Sequence, residues 1–528
     1  MNKPARLQGG RAWMIHGALA CLCLLGSAAA LAASEVTVKV DGTRPGAVIN
    51  KNIYGQFAEH LGSGIYGGMW VGPDSAIPNI RGWRKDVVGA LKDLHVPVVR
   101  WPGGCFADEY NWRDGIGPRE QRPVMVNTNW GGVVDRNAVG THEFFDLIDQ
   151  IGADAYVNGN VATGSPGETA EWIEYMTAEG PSALARLRAR NGHPKPFKVA
   201  FFGIGNENWG CGGNMTADRF ANLYNHHATF AGTGDLATTP HLIAGGGLDG
   251  DIAWTDYLST HLRAPASAIS LHYYTVPGRG GADKGAAIGF GEDQWMSALQ
   301  DALHMDELVA NNVRKLEQND PGKKLTLVVD EWGTWYEPTP GTPPRFLQQQ
   351  NSLRDALVAA LHFHIFHAHA DRVSMSNIAQ MVNVLQAMIL AEGDKMVLTP
   401  TYYAFQMHVP FQDAAALPVS LVNNPQYRLG SAAIPAVSAS AARARDGKLY
   451  LSLVNTDPHQ ALAVRVEAAG VSAKGGSGSV LTADATDAHN SFASPSNVLP
   501  AHLEASVDKG TLRVLLPPKS VAVLAVQE

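Results

Sequence analysis

Residues 201–213 read FFGIGNENWGCGG, and residues 325–337 read LTLVVDEWGTWYE. Each stretch begins as a short apolar run of the kind that forms a buried β-strand, and then changes to Gly, Asn, Asp, Glu and Trp. Polar side chains at the carboxyl ends of buried parallel strands are typical of the active-site face of a barrel. The two stretches therefore predict a parallel sheet that carries a carboxylate at the end of two strands.

Around these stretches, residues 50–395 alternate β-branched runs with helical segments, which indicates repeated parallel βα units. The predicted fold is an α/β (β/α)8 TIM barrel, in which the two stretches form the fourth and seventh strands. A doubly wound open sheet is the alternative, although no Gly-rich phosphate loop follows the first strand. The predicted strands are 53–57, 96–101, 155–158, 199–204, 241–244, 269–273, 325–330 and 373–375.

The regions on either side of the barrel have a different pattern. Short alternating runs separated by turn-rich pieces such as KGGSGS predict an antiparallel, jelly-roll-like β-sandwich over residues 396–528. Residues 33–49 contain EVTVKV, which alternates in the same way and is predicted to join that sandwich. Residues 1–32 combine a basic start with an apolar run and end in small residues, as in a cleavable signal peptide.

The N-terminal pattern predicts an exported protein, periplasmic or secreted, that keeps no membrane contact after cleavage; a membrane anchor is the alternative. The chain has 41 Lys and Arg against 49 Asp and Glu, a formal net charge of −8. That balance argues against a nucleic-acid partner, and neutral carbohydrate fits better. Beyond residue 32 the cysteines are Cys105 and Cys211, too few for a disulfide framework.

Glu207 and Glu331 end the two deciding strands, so both carboxyl groups are expected to face one mouth of the barrel. Glycosidic hydrolysis uses two carboxyl groups, one to donate a proton and one to act in its ionised form. Trp332 and Trp335 offer flat apolar faces on which sugars stack. A salt-bridged structural carboxylate is the alternative for one such Glu, but two in one barrel favour catalysis.

Six ordered motifs of the chain resemble glycoside hydrolase family 51, the α-L-arabinofuranosidases. They are IYGQFAEHLG, VVRWPGGCFADEYNWRDGIGP, GIGNENWGCGG, SLHYYT, VVDEWGTWYE and NIAQMVNVLQAM. The resemblance implies an exo-acting, retaining enzyme that releases terminal α-L-arabinofuranosyl residues from arabinan, arabinoxylan and their oligosaccharides. It also implies no cofactor, no catalytic metal and a homo-oligomer.

By position in these motifs, Glu207 corresponds to the family's general acid/base and Glu331 to its nucleophile. The resemblance further implies substrate contacts at Glu59, Cys105, Asn206, Tyr274, Trp335 and Gln380. At Cys105 many bacterial members have asparagine, and a thiol is a weaker hydrogen-bond partner. Either a disulfide between Cys105 and Cys211 or two separate thiols fits the sequence.

Three questions stay open at this stage. An endo-β-glucanase or β-xylosidase on the same barrel, or a carbohydrate-binding protein without activity, are the alternative functions. Trp130, in a loop after the second strand, is a candidate to line the leaving-group side. Four histidines that crowd one predicted helix are expected to pack rather than to bind a metal: His362, His364, His367 and His369.

Overall fold

The structure, a computed structural model, describes residues 35–234, 238–278 and 283–528. Within these residues eight parallel strands close into a barrel, and each strand pairs with the next one along the chain. The predicted TIM barrel is therefore confirmed. Its strands are Gly55–Phe57, Val98–Trp101, Asp154–Gly159, Val199–Ile204, His241–Ala244, Ala268–Thr275, Thr326–Thr334 and Val373–Ala379.

Helices surround this barrel, and their ends carry local signals. Ser165 accepts a hydrogen bond from the backbone N–H of Glu168, whose carboxylate accepts from the backbone N–H of Ser165. This capping box, with Pro166 as the first helical residue, starts a helix. The helices are Lys85–Asp93, Thr141–Ile151, Pro166–Thr177, Ala183–Arg190, Ala217–Phe230, Ile252–His261, Glu292–Asn319, Leu353–Ala368 and Pro400–His408.

The C-terminal region forms a sheet whose strand Ala501–Asp508 links two layers. Its first half pairs with Gly475–Leu481 and its last residues pair with Thr511–Leu516. The N-terminal strand Val36–Asp41 lies in this sheet, parallel to Leu462–Ala469 and antiparallel to Val419–Val422. The other strands are Ala415–Leu417, Val437–Arg443, Leu449–Asn455 and Ser520–Gln527.

A helix, Pro400–His408, separates the barrel from this sheet, at a place where the sequence pattern predicts only the start of a sandwich. Its start signals are present: the Thr399 side chain accepts from the backbone N–H of Tyr402, and proline occupies the first helical position. The helix packs against Leu353–Ala368, so it extends the helical layer of the barrel toward the sheet.

Buried histidines connect the barrel to the sheet. His364, His367 and His408 each contact a serine hydroxyl of the sheet at 2.7–2.8 Å. Burial lowers the pKa of His408 to about 4 and holds the pKa values of His364 and His367 well below the usual range. The imidazoles are therefore neutral at pH 7 and serve as packing and hydrogen-bonding groups. The serine partners are Ser438, Ser440 and Ser452.

Smaller elements complete the described chain. Among its helices, none combines the length and the apolar character needed to span a bilayer. The two-stranded hairpins are Asn79–Ile80 with Trp83–Arg84, Met125–Asn127 with Val133–Asp135, Ile389–Glu392 with Lys395–Leu398, and Gln426–Leu429 with Ala432–Pro435. Short 3-10 turns occupy Lys51–Tyr54, Cys105–Glu109, Trp112–Gly115, Arg119–Gln121, Leu248–Gly250, Pro344–Phe346 and Val409–Phe411.

Candidate active site

Glu207 and Glu331 meet at the carboxyl end of the barrel. A tight turn follows strand Val199–Ile204: Gly205 has φ +91°, and a Cβ there would lie 2.2 Å from the side-chain oxygen of Asn208. Glu207 itself has φ +41°, a left-handed conformation that few non-glycine residues adopt. One carboxyl oxygen of Glu207 and one of Glu331 lie within 4.8 Å of each other.

Glu331 is held by a donor at each carboxyl oxygen. Arg100 donates from Nη1 to Oε2 at 3.0 Å, and the Tyr274 hydroxyl donates to Oε1 at 2.8 Å. Arg100 comes from the second barrel strand and is buried; its Nη2 also donates to Oδ1 of Asn206 at 2.6 Å. A Cβ at Gly104 would approach Glu331 Oε2 to 3.0 Å, so the glycine leaves this carboxylate accessible.

His272 lies between the acidic groups. Its Nδ1 is 3.0 Å from Oε1 of Glu207 and 3.6 Å from Oε2 of Glu331, and its Nε2 is 3.2 Å from Oδ1 of Asp330. Burial alone would lower the pKa of His272, but the surrounding carboxylates outweigh it and raise the pKa to about 10. The side chain is therefore an imidazolium at neutral pH.

Asp330 forms the layer beneath this cluster. The Tyr156 hydroxyl donates to Oδ2 at 2.7 Å, and Nε of Arg100 lies 3.7 Å from the same oxygen. Burial would raise the pKa of Asp330, but the Arg100 and His272 cations lower it below its ordinary value. Asp330 is thus a buried carboxylate that stabilises the two cations holding the site together.

Burial raises the pKa of Glu331, and the neighbouring Glu207 carboxyl raises it further, while His272 and Arg100 act in the opposite direction. Two carboxyl groups at this distance cannot both carry a full negative charge without mutual repulsion. The Glu207 carboxyl group therefore opposes ionisation of Glu331, whereas the His272 and Arg100 cations favour it.

Glu59 forms a second acidic position at the end of the first barrel strand. Its Oε1 accepts from the backbone N–H groups of Gly104 (3.0 Å) and Phe106 (3.1 Å) and from Nε1 of Trp130 (2.9 Å). Its Oε2 accepts from Nε2 of Gln380 at 3.2 Å, and Oε1 of Gln380 accepts the backbone N–H of Glu59. This reciprocal pair fixes the orientation of both side chains.

Burial, followed by the charge of Glu331, raises the pKa of Glu59 to about 7. Trp130 reaches Glu59 from the loop between Met125–Asn127 and Val133–Asp135, the two strands of a hairpin. Its indole N–H is thereby part of the acidic pocket.

Trp335 and Tyr274 form an aromatic wall beside Glu331. Their ring centroids are 5.1 Å apart in an edge-to-face arrangement. Nζ of Lys284 lies 3.6 Å from the centroid of the Trp335 ring. Trp332 does not belong to this wall, contrary to the expectation of a stacking face. It is fully buried against the helix Leu353–Ala368, because successive side chains of a strand point to opposite faces and Glu331 takes the inner one.

Cys105 and Cys211 form a disulfide, with Cα atoms 5.6 Å apart. Any contact of Cys105 with substrate would therefore be made by a disulfide sulfur, which carries no hydrogen to donate. Sγ of Cys211 lies 3.6 Å from Oε2 of Glu207. The bond thus sits beside the carboxyl group that ends the fourth strand.

Comparison with known proteins identifies the family. The model of the alpha-L-arabinofuranosidase 1 domain matches residues 90–276, and that of the alpha-L-arabinofuranosidase C-terminal domain matches residues 330–520. An intracellular exo-alpha-L-arabinofuranosidase of Bacteroides ovatus is 46% identical and spans 96% of this chain and 99% of its own length. The GH51 arabinofuranosidase of Xanthomonas axonopodis pv. citri superposes with a TM-score of 0.91 at 49% identity, over 93% of this chain and all of that one. The chain belongs to glycoside hydrolase family 51, the α-L-arabinofuranosidases.

A more distant family 51 relative has the same architecture. The α-L-arabinofuranosidase of Thermotoga maritima, solved as an arabinose complex, matches with a TM-score of 0.81 at 29% identity, over 93% of this chain and all of that one. The family and the fold expected from the six motifs are confirmed for this arabinofuranosidase.

The predicted export of this arabinofuranosidase is wrong. The Bacteroides ovatus relative, which aligns with almost the whole chain, bears the name of an intracellular enzyme. The segment 1–32, interpreted as a signal peptide, lies outside the described residues. A basic start followed by an apolar run is a property of composition, and composition alone does not determine whether a segment is recognised for export.

The structure of this arabinofuranosidase brings the predicted site residues together around the Glu207–Glu331 pair. Tyr274 donates directly to Glu331, and Asn206 accepts from Arg100, which also donates to Glu331. Trp335 packs against Tyr274, and Cys105 is bonded to Cys211. Glu59 and Gln380 form the adjoining pocket.

Sequence reasoning missed Arg100, His272 and Asp330 as members of the site. One signal was available for each. Arg100 interrupts the apolar run VVRWP, where a buried cation needs a partner, and Asp330 directly precedes Glu331. His272 belongs to the LHYYT motif, in which only the tyrosine was assigned. Trp130 was considered for the leaving-group side, and the structure places its indole N–H on Glu59.

Proposed function

We propose that this chain is an exo-acting retaining α-L-arabinofuranosidase that releases terminal α-L-arabinofuranosyl residues from arabinan, arabinoxylan and their oligosaccharides. Glu207 acts as general acid/base and Glu331 as nucleophile. The observation that carries the proposal is the approach of the two carboxyl groups to within 4.8 Å. Retaining glycosidases hold their carboxyl groups about 5–5.5 Å apart, whereas inverting enzymes need room for a water between them.

The hydrogen-bond donors support this division of roles. Glu331 receives a proton donor at each oxygen, from Arg100 and Tyr274, and such donors favour the ionised form that a nucleophile requires. Glu207, the other carboxyl group of the pair, is then the one that donates the proton.

In the first step, Glu331 attacks the anomeric carbon while Glu207 transfers its proton to the departing glycosidic oxygen. The bond to the leaving group breaks and an ester joins the arabinosyl unit to Glu331. Esterification removes the charge of Glu331, and Glu207, which has given up its proton, is left as a carboxylate that can accept one. Glu207 then deprotonates a water that attacks the same carbon, and arabinose leaves with its configuration retained. Carboxyl groups of the chain transfer every proton in this cycle.

Glu59 and Gln380 are suited to hold the hydroxyl groups of the terminal sugar. Both are buried, and among the described residues Oε2 of Glu59 accepts from Gln380 alone. An ionised carboxylate offers about four lone-pair positions, so Glu59 keeps capacity to accept from sugar hydroxyls. Trp335 and Tyr274 supply an apolar wall beside the reacting carbon.

A mechanism-based arabinofuranosyl inactivator, followed by peptide mapping, tests the sugar and the nucleophile together. We expect the covalent adduct on the peptide that contains Glu331, no adduct in Glu331→Gln, and retained configuration of the first product by NMR. An inverted first product would refute double displacement. Cleavage of a glucan or a β-xyloside with an arabinofuranoside left intact would instead support the alternative enzymes, and sugar binding without any turnover would support a binding protein.

The homo-oligomer stays a prediction that the family resemblance implies. In its favour, Val124, Val126 and Val134 are 56%, 53% and 60% exposed on and beside the hairpin that carries Trp130. Clusters of exposed apolar side chains often mark contact surfaces. Light scattering at micromolar concentration tests it, and a monomer would contradict the prediction.

A further inference from the structure

The Cys105–Cys211 disulfide connects the two loops that border the acid/base position. Cys105 begins the short turn Cys105–Glu109 after the second barrel strand, and Cys211 follows Glu207 in the loop after the fourth. The two cysteines are 106 residues apart in the chain. The bond is therefore a cross-link at the mouth of the barrel between the βα loops that follow the second and fourth strands.

The loop that carries Glu207 folds back on itself around Cys211. The backbone N–H groups of Gly210 and Gly212 both donate to the carbonyl oxygen of Glu207, at 2.7 and 3.1 Å. Glu207 has φ +41°, a conformation that a non-glycine residue keeps only where its surroundings hold it there. A cross-link on the turn that immediately follows is one such restraint.

The sulfur atoms also lie beside the functional carboxyl group. Sγ of Cys105, Sγ of Cys211 and one oxygen of Glu207 lie within 4.8 Å of one another. Cys211 is exposed and Cys105 is half-buried, so a small reductant can reach the bond. By contrast, the hydrogen bonds that hold Glu331 come from Arg100 and Tyr274 and do not involve the cysteines.

We propose that Cys105 and Cys211 are positioning residues for Glu207. Their disulfide, which we call the latch, makes proton donation by Glu207 sensitive to reduction. The inference rests on the proposed role of Glu207 as acid/base. In the oxidised enzyme the latch keeps the Glu207 carboxyl group over the glycosidic oxygen. Reduction releases the loop and weakens proton transfer, while the nucleophile remains in place.

The chemistry of the switch is thiol–disulfide exchange with a dithiol. A thiolate of the dithiol attacks one sulfur, forms a mixed disulfide and releases the other cysteine as a thiolate, which takes up a proton. The second thiol of the reductant then displaces the remaining cysteine and closes its own disulfide. The enzyme gains two thiols, and the dithiol loses two electrons and two protons.

The leaving group distinguishes this role from a general structural one. A 4-nitrophenolate leaves without a proton, whereas an alkoxide must be protonated as it departs, and general acid catalysis contributes roughly 10²–10⁴-fold where it is needed. We therefore compare kcat/KM, which reports the first chemical step, for 4-nitrophenyl and methyl α-L-arabinofuranoside. Both substrates are measured on oxidised enzyme, on dithiothreitol-reduced enzyme and after reoxidation, with thiol titration to confirm each state.

Reduction is expected to lower kcat/KM for the methyl glycoside about 10-fold, a partial loss of the general-acid contribution, and to change the nitrophenyl value less than about twofold. Reoxidation should restore the methyl value. The matched control is the double variant Cys105→Ser/Cys211→Ser, which should behave like reduced enzyme and not respond to dithiothreitol. Because reduced wild-type enzyme is itself measured, the test stands even if that variant does not fold.

An equal fall for both substrates, or no change for either, would overturn the latch. A third variant, Glu207→Gln, separates this failure from failure of the proposed function. If Glu207→Gln loses activity on the methyl glycoside while reduction has no effect, only the latch is wrong. If Glu207→Gln keeps full activity on the methyl glycoside, the assignment of the acid/base is wrong as well.

Discussion

Replacing Glu59 by glutamine should reduce both stability and activity, because it would place two hydrogen-bond donors opposite each other. Oε1 of Glu59 accepts three N–H donors, so the new amide must keep its oxygen there. Its NH2 group would then face Nε2 of Gln380 at the position where Oε2 now accepts at 3.2 Å. The Gln380 amide cannot flip without losing another hydrogen bond, because its own oxygen accepts the backbone N–H of residue 59.

The magnitude follows from the bonds that change. A hydrogen bond to a charged group contributes about 1.5–3 kcal/mol, and a buried donor left without an acceptor costs about 1–3 kcal/mol. We expect Glu59→Gln to lower the free energy of unfolding by about 2–3 kcal/mol. The value of kcat/KM should fall at least about tenfold, since each 1.4 kcal/mol corresponds to a factor of ten. The pKa of Glu59 is raised from its ordinary value to about 7, so the ionised side chain is the less favourable form in the folded state. The cost of replacing it by neutral glutamine should therefore be larger at pH 5.5 than at pH 8.

Urea unfolding and steady-state kinetics on the four members of a double-mutant cycle measure this effect. The swap Glu59→Gln/Gln380→Glu restores the donor–acceptor pattern and should recover at least half of the lost stability. Its activity should stay low, because the carboxylate no longer occupies position 59. Gln380→Glu alone, which opposes two carboxylates, should be the least stable member. A Glu59→Gln variant within about 0.5 kcal/mol of wild type at pH 5.5, or a swap less stable than both single variants, would refute the reasoning.

Three further outcomes are expected. Tyr274→Phe removes a donor to Glu331, so kcat/KM should fall about 10- to 100-fold, and the acid limb of the variant's pH–activity profile should move to higher pH. Tyr156→Phe, the matched control, removes a donor to Asp330 instead and should leave that limb in place. The pKa of His272 is raised to about 10, so its stabilisation is complete below pH 6.5 and disappears as the pH rises through 10; a wild-type-minus-His272→Gln difference in unfolding free energy that stays flat from pH 6 to 10.5 would contradict this. Burial lowers the pKa of His408 to about 4, so stability should be highest above pH 6.5 and decline toward pH 4, which thermal unfolding checks; a constant Tm over that interval would argue against it.

The barrel could be predicted from the sequence because its strands are apolar runs that end abruptly in polar residues. Strand Val199–Ile204 and the turn after it are an example, since the apolar run and the polar residues that follow it, among them Glu207, are visible in the local pattern. Helix Pro400–His408 was not predicted, although Thr399 and Pro400 signal its start. Its aromatic residues suit strands as well as helices, and only packing against Leu353–Ala368 decides between them.

The proximity of Glu207 and Glu331 was predictable for the same local reason, whereas the groups that hold the pair were not. Arg100 lies on the second strand and donates to Glu331 on the seventh and to Asn206 just after the fourth. His272 lies between three carboxylates. No periodicity along the chain records such contacts. The pairing of Cys105 with Cys211 likewise depends on the distance between two loops, which spacing in the sequence does not reveal.

The position of strand Val36–Asp41 has a consequence for biosynthesis. This segment emerges from the ribosome early, yet its partners Val419–Val422 and Leu462–Ala469 belong to the last part of the chain. Its apolar edge must stay unpaired while the whole barrel is made, a period in which exposed strands invite aggregation. Chains truncated after the barrel would leave this strand permanently unpaired and should accumulate as inclusion bodies. In the full-length chain the strand acquires its partners in the final stage of folding.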